Sequence, residues 1–291
     1  MSGESAFIEA LRAIAPHPAA RGLADDCAVL DLGGETLVLT HDAMAEGVHF
    51  LVGQDPADVA WKLVATNMSD LAAKGAEPLG VLLGYALGAG DARFLDGLAE
   101  ALEAHGAALL GGDTIGGAGR LVHGLTAIGR ATCRPVPSRS GARPGDGLWI
   151  TGPVGAAMLG FEALRDGTGA DSSAYRRPRA LLAEGRALAP HVHAMMDLSD
   201  GLLLDAARMA RASGVTFAIH GRAVPIATPE DRRGQALRWG DDYQLLFAAA
   251  AGFRPPVPAT RIGEAQPSGP SPILLDGAPL DEAAGLGFEH G

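Results

Sequence analysis

Six aspartates in this sequence share one local setting, and they carry its clearest chemistry. They are Asp26 in ADDCAVL, Asp42 in VLTHDAMAEGVHF, Asp70 in NMSDLAAKGA, Asp113 in LLGGDT, and Asp197 with Asp200 in MMDLSDGL. Each lies at the end of an apolar strand, in a turn or on the polar side of a helix, where α/β folds build their sites. Taken singly, such an aspartate most often caps a turn. Six gathered together would repel one another unless cations bridged them, and an all-oxygen ligand set suits Mg2+ or Mn2+. Gly111-Gly112-Asp113-Thr114 reads as a short glycine turn whose amides could face an anion. The sequence contains no GxxxxGK[ST] and no GxGxxG between a strand and a helix, so neither common phosphate loop is supported. Cys27 and Cys133 form no CxxC, and neither Ser140 nor Ser199 sits in a GxSxG elbow.

The elements that must position these residues follow from periodicity and punctuation. Apolar residues at helical spacing predict a first helix over 4–14, ending at Pro16. Two strands, 28–32 and 36–40, flank the hairpin signal Gly33-Gly34. Asp55-Pro56 with Asp58 reads as the start of a helix that runs to about Lys74 and stops at Gly75. Its core stripe is Trp61, Val64, Met68 and Leu71; Lys62, Asn67, Asp70 and Lys74 lie off it, so Asp70 faces solvent or a site. Strands at 80–87 and 121–131 enclose a helix at 92–105. A second unit begins with a strand at 148–151 and a helix through Leu164. It continues with a loop over 166–180, a helix to Leu188, a strand at 195–198, a helix to Ser213 and a strand at 215–220. A strand pair is expected near Arg261 and 273–275. The Arg-, Pro- and Ser-rich stretch 133–146 marks the boundary between an N-terminal α/β domain, 1–137, and a C-terminal one, 138–291.

Composition limits the function classes. The 291 residues carry a formal charge of −11, and the basic residues are arginines except for Lys62 and Lys74. There is no basic stripe for nucleic acid or a membrane surface. The longest apolar run, about 79–90, is broken by glycine and too short to span a bilayer. Glu4 and Glu9 stand where a signal peptide would be cationic and apolar. A cytoplasmic protein is expected, with no nucleic-acid or membrane partner.

In this order and at these spacings, DDCAVL, HDAMAEGVHF, NMSDLAAKGA, GGDT, RSGARPGD, MDLSDGL and GDDYQLLF resemble thiamine-monophosphate kinase, within the aminoimidazole ribonucleotide synthetase-like superfamily. The resemblance runs from about residue 5 to 250, with an echo in Gly287-Phe288-Glu289-His290. It implies an α/β (α+β) two-domain fold whose N-terminal sheets form a barrel between two subunits of a homodimer. It also implies transfer of the γ-phosphoryl group of ATP to thiamine monophosphate, giving thiamine diphosphate, with several Mg2+ ions.

Carried over residue by residue, Asp26, Thr40, His41, Asp42, Asp70, Asp113, Asp197 and Asp200 would hold metal, with Asp42, Asp70, Asp113 and Asp200 catalytic. Gly112, Asp113, Arg139 and Ser199 would line the nucleotide, and His49, Asp241 and Phe288 would face thiamine monophosphate. The chain departs from the family at His41, where threonine is usual, and at Trp239-Gly240-Asp241-Asp242-Tyr243, where GGEDY is usual. On residue chemistry alone, His49 reads as a surface histidine, Phe288 as a core plug, Tyr243 as part of a strand, and Arg176, Arg177 and Arg179 as a solvated loop. Two alternatives compete: another ATP-using enzyme of the superfamily, or a catalytically silent dimer that binds thiamine phosphates or nucleotide.

Overall fold

The computed structural model describes residues 3–116, 119–280 and 285–288. After helix α1 (Gly3–Arg12), strands β1 (Ala28–Leu32) and β2 (Glu35–Ala45) form a hairpin with Leu32 opposite Glu35. Its two-residue turn has positive φ at both Gly33 and Gly34, a conformation that matches strand twist and penalises any residue with a Cβ. Helix α2 (Pro56–Ala73) begins where Asp55 accepts from the Ala57 amide, and it ends at Lys74 and Gly75 as the capping residues predict. Strand β3 (Ala76–Ala86), helix α3 (Asp91–His105), β4 (Ala108–Ile115) and β5 (Val122–Ala131) complete the first unit. The five strands run in the order β1-β2-β5-β3-β4, and α3 is the crossover between the parallel pair β3 and β4. Val64, Met68 and Leu71 of α2 and Phe94 and Leu98 of α3 pack on Val38, Val81, Leu125 and Ala127 of one sheet face.

The second unit is built on seven strands. Its elements are β6 (Gly147–Ile150), α4 (Ala156–Arg165), α5 (Ser173–Arg176), α6 (Leu182–Leu188), β7 (Ala194–Asp197), α7 (Leu202–Ser213) and β8 (Val215–Ile219), followed by α8 (Arg233–Ala236), β9 (Leu245–Ala249), β10 (Thr260–Pro267), β11 (Ile273–Leu275) and β12 (Ala278–Pro279). The strand order is β12-β11-β8-β10-β6-β9-β7. Helix α7 packs on one face, while Met195, Leu245, Phe247 and Ala249 on the other meet α6 and the end of α2. Thus α2 lies between the two sheets, and 15 of its 18 residues are buried.

Four expectations change. Gly111 to Thr114 form no turn: they lie inside the edge strand β4, whose pairing with β3 is long-range and invisible to local turn chemistry. Asp42 stands within β2, which continues to Ala45. The segments at 260–267 and 273–275 do not pair with each other but flank β8 on opposite sides. Residues 173–176 form a short helix inside the predicted loop. Among the described residues, no helix is long and apolar enough to cross a membrane.

Candidate active site

Three of the six aspartates converge from three parts of the fold. Asp26 precedes β1, Asp70 sits on α2 and Asp197 ends β7, and a carboxylate oxygen of each lies within 4.8 Å of the others. Thr40, on the inward face of β2, donates its hydroxyl to Asp70 Oδ2. Ser69 donates to Asp197 Oδ2 at 2.6 Å. Two residues along β2 from Thr40, Asp42 shares its face, and its amide donates to Asn67 Oδ1 at 3.1 Å.

Burial and mutual repulsion govern these groups. Burial, then the charges of Asp200 and Asp26, push the Asp42 carboxyl up to about 6. Burial, then Asp26, push Asp197 up to about 8. Asp70 is raised well above the carboxylate range by burial and by Asp42, Asp197 and Asp26. Asp26 is the exception in its partners: its fully buried carboxylate meets Lys74, and Arg139 Nε at 2.6 Å. Lys74 also pairs with Asp25, whose carboxyl burial would raise; the nearby ammonium outweighs that and holds it well below the usual range. A set of hard oxygen donors, crowded and short of positive charge at Asp42, Asp70 and Asp197, fits Mg2+.

The other half of the site is a strap over residues 239–243. Asp241 and Tyr243 both have positive φ, 64° and 49°, and their amides donate to the Ser199 and Leu198 carbonyls at 2.8 and 2.9 Å. Between them, Asp242 caps α4 by accepting from the Gly155 and Ala157 amides. A Cβ at Gly240 would stand 2.2 Å from the Ser199 oxygen, so only glycine lets the strap lie against that loop. Asp241 accepts from Lys62 Nζ at 2.8 Å, and Lys62 also donates to the His49 carbonyl at 3.0 Å. His49 Nδ1 accepts from the Ala45 amide. The Phe288 amide donates to the Asp200 carbonyl at 2.9 Å, and its ring is half-exposed rather than a core plug. Glu289 and His290 lie outside the described residues. Asp200 itself turns to Arg208, which also bonds Asp205. Beside Arg139, a cleft of about 500 Å3 is lined by Arg21, Ala24, Asp25, Ser138, Ser140 and Ala212.

Two expected ligands stand apart. His41 is turned away from the carboxylates, because alternation along β2 sends it to the outer face, where Nδ1 meets Thr126 Oγ1 at 2.8 Å. Asp42, Leu125, Leu83 and Gly112 stand in one row across four strands, so β4 is about 14 Å from Asp42 at ordinary strand spacing. Asp113, one residue on, faces the outer side with His41, and its carboxylate accepts from the next amide, that of Thr114, at 2.9 Å. Sequence reasoning missed Asp25, Ser69, Asp205 and both lysines. One signal was present: the only two lysines of an arginine-rich chain fall on one helix and its C-terminal cap.

Residues 24–131 match the family of the AIR synthase related protein, N-terminal domain, and residues 143–255 that of its C-terminal domain. A thiamine-monophosphate kinase of Caulobacter vibrioides is 39% identical over 252 residues, covering 79% of this chain and 72% of the relative. The crystal structure of thiamine-monophosphate kinase from Stenotrophomonas maltophilia K279a superposes with a TM-score of 0.78 at 33% identity, covering 94% of this chain and 96% of that one. AaThiL complexed with AMPPCP and TMP superposes with a TM-score of 0.86 at 27% identity, covering 96% and 95%. A two-part fold, a converged carboxylate cluster and relatives of one name agree: the chain belongs to the thiamine-monophosphate kinase family.

Proposed function

We infer that this chain transfers the γ-phosphoryl group of ATP to thiamine monophosphate, giving thiamine diphosphate and ADP. The observation that carries this is the meeting of Asp26, Asp70 and Asp197 within 4.8 Å, two from the first unit and one from the second. The family's name and the AMPPCP and TMP of the structural relative support the choice of substrates. Donor and acceptor are both polyanions, and unscreened charges a few ångströms apart cost about 4 kcal/mol at an effective dielectric of 20. Bound Mg2+ supplies the positive charge that lets two phosphates approach and spreads the charge of the transferred group.

Asp26, Asp42, Asp70 and Asp197, with the Thr40 hydroxyl, would hold several such ions; Asp200 joins from the neighbouring loop, and His41 does not. Arg139, whose planar guanidinium holds Asp26 in this structure, would turn to phosphate oxygens as cations neutralise that carboxylate, and with Ser199 it would line the nucleotide near the cleft beside it. His49, Asp241 and Phe288 hold the thiamine end. The acceptor oxygen, already ionised near neutral pH, forms a bond to the γ-phosphorus as the β–γ bridging bond breaks. No strong base is needed. The first domain, 1–137, carries most of the ligands, and 138–291 closes over them. Asp113 and Gly112 would enter through a homodimer, since β4 is an exposed edge strand and Asp113 points to the outer side of the sheet.

Purified protein with ATP, Mg2+ and thiamine monophosphate should yield thiamine diphosphate, and free thiamine should yield none. Asp42→Asn should cut turnover at least about 100-fold with the melting profile preserved, the scale expected for an interaction made in the transition state. A variant retaining most of its activity would remove Asp42 from the site. ATP binding without product would favour the catalytically silent dimer.

A further inference from the structure

Lys62 is buried to 1% exposure on α2, and three groups from three separate segments account for its charge. Asp241 Oδ2 is 2.8 Å from Nζ, the His49 carbonyl oxygen 3.0 Å, and the Tyr175 ring centre 3.8 Å. The Tyr175 hydroxyl donates to the same His49 carbonyl at 3.1 Å, and the Tyr243 hydroxyl donates to Asp241 Oδ1 at 2.9 Å. Both oxygens of Asp241 are therefore engaged, and its carboxylate plane is fixed.

A buried ion pair is poor evidence of a stability role, because apolar residues of the same volume often hold a fold as well or better. What the ammonium adds is geometry. It joins the turn after β2, which belongs to the first sheet, to the strap at 239–243 and the short helix α5, which belong to the second. That strap has two non-glycine residues at positive φ, a kind of strain that persists only where the surroundings over-determine it. Its amides are bonded to the loop between Asp197 and Asp200, so a shift of Asp241 is transmitted to the carboxylate cluster.

We propose, on the reading that His49 and Asp241 face thiamine monophosphate, that Lys62 is a positioning residue of the acceptor pocket. It fastens the His49 turn to Asp241 across the two units and so sets where the thiamine end rests relative to the metal-binding carboxylates. Lys62 need not touch the acceptor to do this.

Initial rates of the full-length enzyme, with ATP and thiamine monophosphate varied separately, test it. Lys62→Met should raise the apparent KM for thiamine monophosphate about 10-fold and move that for ATP by less than about twofold. Tyr175→Phe removes one bond to the same carbonyl while keeping the ring, and should raise the acceptor KM about threefold; it decides the matter if Lys62→Met does not fold. Unchanged values in both variants, or equal rises for both substrates, would overturn the role of Lys62 while wild-type turnover still upheld the kinase. Wild-type protein that neither binds nor phosphorylates thiamine monophosphate would overturn the acceptor pocket itself, and Lys62 with it.

Discussion

Asp42, Asp197 and Asp205 keep protons that ordinary carboxylates would have lost. Burial leads in all three and neighbouring aspartates add to it, against His41 at Asp42, and this sets Asp205 at about 7 beside the values near 6 and 8 for the other two. A carboxyl whose pKa is higher folded than unfolded contributes stability that is complete below its unfolded value and lost as pH rises through its folded value. Metal-free protein should therefore lose thermal stability as pH rises from about 4 to 8, from the ordinary carboxylate value to the highest of those three. Mg2+ should raise Tm more at pH 8 than at pH 6, because more of its ligands then carry charge unaided. Melting curves with chelator and with Mg2+ at the two pH values measure both effects; a metal-free Tm that rises over this window would contradict the crowding of the cluster. At this scale the sequence pointed to the three aspartates that converge, since apolar runs ending in Asp are local text. It was silent on Lys74 and Arg139 at Asp26, because the partner of a buried charge is chosen by packing between units.

At the scale of elements, α2 shows where local rules succeed and stop. Its limits were legible in Asp55-Pro56 and Gly75, and so was its stripe of Val64, Met68 and Leu71. Its second buried face was not, because a period of 3.6 identifies one apolar side and the second sheet covers the other. The loop arginines were misjudged for the same reason. Arg176 and Arg177 each reach the buried Asp58 of α2 at 2.5 Å, and Arg177 also stacks on Trp61, while Arg179 stays exposed against Glu184. Asp58→Ala should cost about 2 kcal/mol, at the lower end for a broken charged pair because the two arginines can regain water. A fall in Tm of about 4–8 °C would accompany it. Denaturant titration checks the figure, and a change below about 0.5 kcal/mol would make this junction a mere surface contact.

At the scale of the molecule, the first sheet leaves one face open. Leu82, Leu109, Leu110 and Ile115 are among its exposed apolar side chains, on or next to the unpaired edge strand β4. An exposed apolar face of this kind marks an interface, and a bare strand edge invites pairing. With the proposed homodimer formed through this face, Leu82→Glu should give monomer in light-scattering chromatography and lower activity with it, since Asp113 lies on the same outer side. A monomeric wild type would separate activity from assembly. Neither the open face nor the place of Asp113 was readable from periodicity, because the strands of such a face alternate like any half-buried strand. The position of α2 has a further consequence for how such a chain can diverge. A helix with one wet side has a strip where substitutions accumulate harmlessly, but one enclosed by two sheets has none. Tolerated substitutions should therefore collect at the periphery, while a change on α2 calls for a matching change in what surrounds it.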